Sequence, residues 1–365
     1  MKTKLNAGIV GAGGYTGGEV CRLLLNHPNI NKIFPFSRGK ELFEKAHPNL
    51  FGSALEFVNT NELINHVQNI DVLFFCAPSG KAMEMIPDIY DNNIKIIDLS
   101  ADFRFQNLKL YYKTYGIDHK CPEILKNAVY GLTELNRNQI KGAKLIANPG
   151  CYVITSILGI YPLLMEKIIN LDNFIHINAV NGTTGAGIKP KRDLMYTEMA
   201  YNMLPYNLEG HRHGPELESQ LSDISSENVK VIFNTAHGPY PRGIFSNISI
   251  ELSNNYKNSV SRNDLINIYH KYYGKGATKE YFVRIVDYLK PGLKNEKIYD
   301  VYPRLSNVIG TNFCHIGLDY DENRKIIKVV SVTDNLIKGA AGSAIQNMNL
   351  LFDIEENLSL TQLAL

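Results

Sequence analysis

Along the first 150 residues, the pattern of hydrophobic and polar positions predicts strands and helices that follow one another in turn. Short apolar runs typical of buried strands cover residues 5–10, 32–36, 71–76, 95–99 and 144–147. Stretches with the composition of helices cover residues 19–26, 81–90 and 152–164. Strands that alternate with helices are typical of a parallel, doubly wound α/β sheet.

The pattern changes after residue 150. Stretches rich in β-forming residues cover 174–180, 229–236, 245–252, 313–320 and 326–332. Few helices are predicted between them. This order predicts a second domain of the α+β class, built on a largely antiparallel sheet, with interleaved loops that supply a substrate pocket.

A glycine-rich loop lies between the first predicted strand and the first predicted helix. Residues 11–18 read GAGGYTGG. Glycines let the backbone turn tightly, let a pyrophosphate approach closely and direct the free amides of the next helix towards it. The order of strand, glycine loop and helix favours a dinucleotide site over a flexible turn. Its candidate residues are Gly11, Gly13, Gly14, Tyr15, Thr16 and Gly17.

The residues after the second predicted strand indicate which dinucleotide binds. An NAD-selective site usually has an acidic side chain there for the ribose 2′-hydroxyl, but this chain has Ser37 and Arg38, and no carboxylate before Glu41. A guanidinium suits a 2′-phosphate. Together with the glycine loop, this pair favours NADP(H) over NAD. Further candidates for cofactor contact, after the strand at 71–76, are Ala77, Pro78 and Ser79.

One cysteine lies at a strand-to-helix corner. In the string NPGCY at 148–152, Cys151 falls in the first turn of the predicted helix, where free amides and the helix dipole favour a thiolate. A free cysteine is only about 3% ionised at neutral pH, and lowering its pKa by about 1.5 units makes the thiolate the majority species. We therefore predict a nucleophile rather than a small buried hydrophobe, with Asn148 as a neighbouring substrate contact.

Two histidines alternate around an arginine in the string HRHGPE at 211–216. In an extended segment, alternating side chains point the same way, so His211 and His213 could face one pocket. A histidine near neutral pH can carry a proton or stabilise a thiolate. The pattern leaves both histidines as candidates. No third ligand lies at a convincing spacing, so a metal site is not predicted.

Two arginines and one loop are candidates for binding an anionic substrate. Arg104 follows a predicted strand and Arg242 precedes another, although each arginine could instead form a structural salt bridge. The loop NGTTGAG at 181–187 offers hydroxyls and backbone amides suited to an anion or an oxyanion. Its candidate residues are Thr184 and Gly185.

Composition excludes several classes of function. The chain has 365 residues, is 44% hydrophobic and 20% charged, and carries a formal charge of +2, which suits two soluble domains and indicates neither nucleic-acid nor membrane binding. No long apolar run predicts a signal peptide or a membrane span. The five cysteines are scattered without a CxxC pair, which argues against disulfides and zinc. We therefore expect a cytoplasmic protein.

Taken together, the motifs resemble those of the N-acetyl-gamma-glutamyl-phosphate reductases, NADP-dependent enzymes of arginine biosynthesis within the aspartate-semialdehyde dehydrogenase-like superfamily. The resemblance runs almost end to end. It is carried by GIVGAGGYTGGE near the N-terminus, Ser37-Arg38, DLSADFR at 98–104, YGLTELNR at 130–137, NPGCY, HRHGPE and DNLIKGAAGSAIQNMNL at 334–350. The glycine loop occurs in many families, whereas the last string combined with NPGCY and HRHGPE is very specific.

The resemblance implies a reaction and roles for several residues. Cys151 attacks an acyl phosphate, expels inorganic phosphate and leaves a thioester, which NADPH reduces to a thiohemiacetal that releases a semialdehyde. The acid/base histidine is His213, with His211 as its competitor. The resemblance further implies that Arg104 recognises phosphate and Arg242 a substrate carboxylate. Asn335, in the C-terminal string, is expected to contact the cofactor.

The resemblance also implies how the chain is organised. We expect a dinucleotide-binding domain over 1–149, completed by the C-terminal helix 334–365, and a catalytic, substrate-binding and oligomerisation domain over 150–333. A homodimer or homotetramer is expected. Two departures from the family pattern are Val153, where proline is frequent, and Asn181, where serine is common; the second bears on the preferred acyl group.

Other substrates and one other class of function stay open. The same chemistry could act on N-succinyl-glutamyl, aminoadipyl or aspartyl phosphate, although HRHGPE and DNLIKGAAG favour the arginine-pathway substrate. The alternative from another class is a regulator that senses NADP without catalysis. The cysteine, the two histidines and the two arginines speak against that alternative.

Overall fold

The computed structural model describes residues 4–39, 41–256, 260–275, 279–288 and 297–364. The chain divides into two compact units, the first comprising Met1–Gly150 with Gly339–Gln362 and the second Cys151–Lys338 with Leu363–Leu365. Residues 334–338 therefore group with the second unit. Among the described residues, no helix combines the length and apolarity that a membrane span needs.

The first unit is built on a seven-stranded sheet whose neighbouring strands are all parallel. Its strands are β1 (Leu5–Val10), β2 (Ile30–Ser37), β3 (Val58–Asn59), β4 (Val72–Phe75), β5 (Lys95–Asp98), β6 (Ala128–Tyr130) and β7 (Leu145–Ala147). The order β3-β2-β1-β4-β5-β7-β6 reverses between β1 and β4, and doubly wound sheets bind ligands at such a reversal. The predicted parallel sheet is confirmed, while the short strands β3 and β6 were not predicted.

The helices of this part of the chain are α1 (Tyr15–Leu25), α2 (Phe43–Ala46), α3 (Leu63–His66), α4 (Ala82–Met85), α5 (Leu108–Tyr115), α6 (Pro122–Leu125) and α7 (Thr133–Gly142). The predicted helix over 81–90 was too long, since α4 has only four residues. Pro87 explains the early end, because it has no amide hydrogen to donate to the carbonyl of Met83 and its ring disfavours a continuing helix.

The central strands of the first sheet are apolar because both of their faces are covered. All four residues of β4 are buried, with no alternation of apolar and polar side chains. Phe74 and Phe75 are fully buried on opposite faces of the sheet, and each contributes about 2–3 kcal/mol through the area that it removes from water. The carboxyl ends of β1 and β4 are thereby fixed on a rigid core.

The second unit is built on a mixed seven-stranded sheet. Its strands are β8 (Ile175–Asn181), β9 (Leu204–Tyr206), β10 (Val231–His237), β11 (Ile244–Glu251), β12 (Val283–Val286), β13 (Cys314–Asp321) and β14 (Ile326–Thr333), in the order β12-β13-β14-β11-β8-β10-β9. Four of the six neighbouring pairs of described strands are antiparallel, and the pairs β8/β10 and β12/β13 are parallel. The prediction of a largely antiparallel sheet is confirmed, but β9 and β12 were not predicted.

The second unit begins with α8 (Cys151–Met165), which confirms the helix predicted over 152–164. Among the described residues, three helices that were not predicted lie between its strands, namely α9 (Tyr196–Met199), α10 (His213–Ser225) and α11 (Arg262–Tyr273). The start of α11 has a sequence signature, because Ser261 and Asp264 form a capping box there. Its buried positions Leu265, Tyr269 and Tyr273 recur every four residues. Polar residues between these positions hid the helical period.

Helix α8 lies in the core of the second unit and is apolar on all sides. It packs against β11, β14, α10 and α11, and the absence of a side chain on Gly159 lets β11 approach, since a Cβ there would lie 3.2 Å from Cδ1 of Ile248. Pro162 removes the amide that would bond to the carbonyl of Leu158. The Tyr273 hydroxyl donates to that carbonyl at 2.7 Å instead.

A last helix, α12 (Gly342–Leu351), belongs to the first unit, where it packs against α1, α7 and β5. All ten of its residues are buried. Asn347 donates to the carbonyl of Gly131 at 2.9 Å and accepts from the Thr133 hydroxyl at 2.8 Å. These polar contacts fix α12 on the rim of the first sheet.

Candidate active site

The glycine loop joins β1 to α1 in the first unit and is tightly packed. Gly11 has a φ of +83°, in the region that glycine adopts without strain, and a Cβ there would lie 2.6 Å from the carbonyl oxygen of Cys76. A Cβ on Gly17 would lie 2.5 Å from the carbonyl oxygen of Gly11. Helix α1 begins at Tyr15 after Gly14, which has no side chain to cap it. Its first-turn amides therefore suit an anion.

Ser37 and Arg38 lie at the carboxyl end of β2, beside this loop. A Cβ on Gly13 would lie 3.2 Å from the Ser37 hydroxyl oxygen, which accepts a hydrogen bond from the amide of Gly39 at 3.2 Å. The Arg38 side chain is exposed. The arrangement fits a dinucleotide, because an anion-binding helix start and a hydroxyl and guanidinium pair lie at the same end of neighbouring strands.

The loop with Ala77, Pro78 and Ser79 follows β4 and is held by a carboxylate. The backbone amides of Gly80 and Met83 donate to Asp102 at 2.6 and 3.1 Å, and Asp102 is fully buried. The sequence pointed to Asp102 only as a part of DLSADFR at 98–104, and its bonds to this loop were not predicted. The available signal was a carboxylate in the segment that directly follows the predicted strand at 95–99.

Arg104 and Asn148 form mainly internal contacts in the first unit. Arg104 is buried, and its guanidinium donates to the carbonyls of Asn148 at 2.9 Å and Leu99 at 3.2 Å. The carboxamide of Asn148 bonds to the Ser343 hydroxyl at 3.0 Å and accepts from the Asn347 amide at 3.1 Å. These contacts fix the turn before Cys151, and substrate contact by Arg104 or Asn148 stays a prediction.

Cys151 begins α8 and is half-buried. The structure therefore has Cys151 in the first helical turn, as predicted. The backbone amides of this turn have no carbonyl one turn earlier to which they could donate. Burial raises the pKa of Cys21 to about 12 and that of Cys121 to about 11, and it also raises the pKa of Cys76. Cys314 is fully buried. Cys151 is thus the cysteine whose surroundings suit a nucleophile.

The two histidines lie close together, but not in the extended segment that was predicted. Arg212 has helical backbone angles, and α10 begins at His213. The rings of His211 and His213 are nevertheless 4.8 Å apart, and they lie 5.6 and 5.8 Å from the ring of Tyr152. The two rings come together because the chain turns at Arg212, where α10 begins.

The contacts of His211 fix its protonation state. Its Nδ1 accepts a hydrogen bond from the backbone amide of His213 at 3.1 Å, so the proton of the neutral ring is on Nε2. Burial, followed by the charge of Arg212 and the proximity of His237, lowers the pKa of His211 to about 4. His211 is therefore neutral at physiological pH and is a weak base.

Tyr206 and His237 join this cluster and were missed by sequence reasoning. The hydroxyls of Tyr152 and Tyr206 are 2.9 Å apart, and the Tyr206 ring stacks on that of His237 at 4.5 Å. Burial raises the pKa of Tyr206 to about 12, so both hydroxyls stay protonated. Thr235 and His237 point to the same face of β10 because they are two residues apart, which was the available signal for His237.

Arg242 is held by a carboxylate in the second unit. Its guanidinium donates to Asp334 in a two-pronged ion pair at 3.0 and 3.2 Å. Asp334 is fully buried and also accepts from the amides of Gly310 at 2.9 Å and Leu336 at 2.8 Å. This pairing fixes the orientation of the guanidinium, and about a quarter of the Arg242 side chain is exposed.

Thr184, Gly185 and Asn335 lie near Arg242. The Asn335 carboxamide accepts from the Gly243 amide at 2.7 Å and donates to the Thr184 hydroxyl at 3.0 Å. A Cβ on Gly185 would lie 2.0 Å from Nδ2 of Asn181. The contacts of Asn335 connect two loops of the second unit, and its expected contact with the cofactor stays a prediction. In the described part of the chain, no cluster of three or more His, Cys, Asp or Glu residues could hold a metal ion.

Comparison with known proteins gives the family. Models of the semialdehyde dehydrogenase NAD binding domain and dimerisation domain match residues 6–143 and 151–335. The N-acetyl-gamma-glutamyl-phosphate reductase of Halothermothrix orenii is 37% identical to this chain, with 98% of each chain covered. The reductase of the same name from Acinetobacter baylyi is 41% identical, with 99% of each chain covered. An aspartate semialdehyde dehydrogenase with NADP from Candida albicans shares the fold, with a TM-score of 0.63 at 15% identity over 95% of this chain and 98% of that one. The chain belongs to the N-acetyl-gamma-glutamyl-phosphate reductase family of the semialdehyde dehydrogenases.

Proposed function

We propose that this protein reduces N-acetyl-gamma-glutamyl phosphate to N-acetylglutamate 5-semialdehyde with NADPH in arginine biosynthesis, and releases inorganic phosphate. One observation carries the proposal for the site. Cys151 begins α8, and the next residue, Tyr152, contacts the rings of His211 and His213. A thiol at a helix start beside an imidazole pair is the arrangement that thioester chemistry needs.

The chain's own residues support both parts of the covalent step. The Cys151 sulfur forms a bond to the acyl carbon, and the carbon–oxygen bond to phosphate breaks with its electron pair on the phosphate. His213 accepts the thiol proton and, as an imidazolium, stabilises the thiolate that leaves when the carbon–sulfur bond breaks. His211 stays neutral and fixes the first turn of α10 through the amide of His213.

NADP(H) fits the first unit. The packing of Gly11 and Gly17 leaves the backbone bare at the start of α1, which supports binding of a pyrophosphate. Ser37 and Arg38 support a 2′-phosphate and hence NADP over NAD. When bound, the reduced cofactor supplies the hydride that converts the thioester carbonyl to the aldehyde. We assign cofactor binding to these residues, with Gly13, Gly14, Tyr15, Thr16 and the loop with Ala77, Pro78 and Ser79.

Arg242 is the residue that we assign to the substrate carboxylate. Its ion pair with Asp334 fixes the side chain before substrate arrives, so little conformational entropy is lost on binding. Thr184 and Gly185 lie in the adjoining loop and support the same anion. We further propose that the protein works in the cytoplasm as a homodimer or homotetramer. The five cysteines form no disulfide, which suits a reducing compartment, and the match to a dimerisation domain supports self-association.

The reaction run backwards tests the substrate. With NADP and phosphate, N-acetylglutamate 5-semialdehyde should give NADPH absorbance, and the rate should rise at alkaline pH because this direction releases a proton. Aspartate semialdehyde and the N-succinyl analogue serve as comparison substrates. A signal with aspartate semialdehyde alone would contradict the proposed substrate, and tight NADPH binding without phosphate-dependent turnover would support the sensing regulator instead.

Replacement of Arg38 tests the cofactor assignment. Arg38→Ala should raise the KM for NADPH roughly 10- to 100-fold with little change in kcat, because a charge-assisted hydrogen bond contributes about 1.5–3 kcal/mol. The KM for NADH should stay the same. Arg324→Ala, which removes another exposed arginine in the second unit, is the control. Equal losses with both cofactors, or a preference of the unmodified enzyme for NADH, would refute the assignment.

A further inference from the structure

A buried histidine lies directly beside the glycine loop of the first unit. His47 follows the four-residue helix α2 and is only 6% exposed. Its Nε2 lies 2.7 Å from the carbonyl oxygen of Ala12, in the loop between β1 and α1. A carbonyl oxygen only accepts hydrogen bonds, so the ring carries a proton on Nε2 and donates it to this bond. None of the roles assigned above uses this ring.

The His47 ring is enclosed on several sides. It packs against the rings of Phe43 and Phe57, whose centroids are 5.0 and 6.3 Å away. It also fills the space beside Gly18 in α1, where a Cβ would lie 2.5 Å from Nδ1 of His47. A closely packed ring has little room to turn. The donor at Nε2 is therefore held in place at the loop.

The bond from His47 orients the peptide that joins Ala12 to Gly13. In a planar trans peptide, the carbonyl and the amide hydrogen of the next residue point in opposite directions. Ala12 is fully buried and its carbonyl points to the His47 ring. The Gly13 amide therefore points away from that ring, towards the other side of the loop, and Gly13 is partly exposed.

Hydrogen bonds within the backbone occupy the loop amides on either side of Gly13. The amides of Gly11 and Ala12 donate to the carbonyl of Phe36 at 3.1 and 3.0 Å, and the Gly14 amide donates to the carbonyl of Gly11 at 3.2 Å. The Gly13 amide has no backbone partner among the described residues. Because glycine adopts many backbone conformations at little cost, the peptide before Gly13 can turn over unless its carbonyl is held.

We propose that His47 is a positioning residue for the dinucleotide: by holding the Ala12 carbonyl, it keeps the Gly13 amide directed at the pyrophosphate. This inference rests on the proposed function, because it needs NADP(H) to bind at this loop. Without the donor on His47, the buried Ala12 carbonyl loses its partner, and the peptide turns over to bring that carbonyl to water. The apparent affinity then falls by the fraction of molecules that no longer present the amide.

Two variants of equal length separate the hydrogen bond from the packing. Glutamine and methionine side chains are both unbranched and similar in size, but only glutamine carries an N–H donor. His47→Met should raise the Kd values of NADPH and NADH by the same factor, roughly 5- to 50-fold, because both cofactors contain the pyrophosphate. His47→Gln should recover most of this loss. Fluorescence titration measures both Kd values, and steady-state kinetics should show KM rising while kcat changes less than about twofold.

Two further variants complete the design. The new Cβ in Gly18→Ala displaces the His47 ring, so this variant should weaken both cofactors as His47→Met does. Since the two changes act on one contact, the double variant should bind no more weakly than His47→Met alone. His66 is another histidine of the first unit, and its ring contacts that of Phe34 at 5.4 Å. His66→Met should leave both Kd values unchanged.

Each outcome decides a stated point. Equal losses in His47→Met and His47→Gln, unchanged affinity in His47→Met, or a loss for NADPH alone would overturn the role of the hydrogen bond. If circular dichroism shows that His47→Met does not fold, Gly18→Ala decides, since alanine suits a helix, and unchanged affinity there would overturn the same role. A wild type that binds NADPH without turnover would count against the proposed function while the titrations still tested His47. A wild type that binds neither cofactor would overturn both.

Discussion

Replacing the Cys151 sulfur with oxygen is expected to stop turnover. Cys151→Ser should lower kcat by on the order of 10³- to 10⁵-fold, because a serine hydroxyl stays protonated at neutral pH and the start of α8 cannot stabilise an alkoxide enough to replace a thiolate. The NADPH affinity should stay the same, since the glycine loop is a part of the first unit. Steady-state kinetics and fluorescence titration with NADPH measure the two quantities.

A second cysteine gives the matched control. Cys121→Ser changes the same atom at a buried position whose thiol has a raised pKa, so it should retain near-normal kcat. Brief alkylation followed by peptide mass spectrometry should modify Cys151 in the wild type and no residue in Cys151→Ser, because the pKa values of the buried thiols Cys21 and Cys121 lie far above neutral pH. Near-normal activity of Cys151→Ser would refute the covalent mechanism.

The first sheet was predictable because its signals are local. A central strand such as β4 is covered on both faces and is therefore an unbroken apolar run in the sequence. The glycine loop must turn where Gly11 has a positive φ. The position of Cys151 followed from Pro149 and Gly150, which end one element just before the next begins. Neighbouring residues were sufficient in each of these cases.

The parts that sequence reasoning missed depend on contacts between distant residues. Strand β9 has three residues, and it is a strand because it pairs with β10 about thirty residues later in the chain. Tyr206 is a part of the candidate site because α8 places Tyr152 against its hydroxyl. No local pattern gives either contact. The same limit explains why the hydrogen bond between Asn148 and Ser343 was not predicted, since the two residues are 195 positions apart.

The structure separates the two histidines that the sequence left equivalent, and kinetics can test the result. His213→Asn should lower kcat by on the order of 10²- to 10⁴-fold, the usual contribution of a general acid/base. His211→Asn should cost less than about tenfold, because the asparagine oxygen can accept the His213 amide in place of Nδ1. Comparable losses in both variants, or the larger loss in His211→Asn, would contradict the assignment.

The pH dependence of kcat/KM gives an independent test of this assignment. A histidine that accepts a proton must be neutral, so activity falls on the acid side as it gains its proton. Burial lowers the pKa of His211 to about 4, so this ring takes up a proton only well below pH 5 and contributes no change in charge above that. Any acid limb of the wild-type profile above pH 5 should therefore persist in His211→Asn, because protonation of His211 cannot produce it. Loss of that limb in His211→Asn would mean that His211, and not His213, carries the proton.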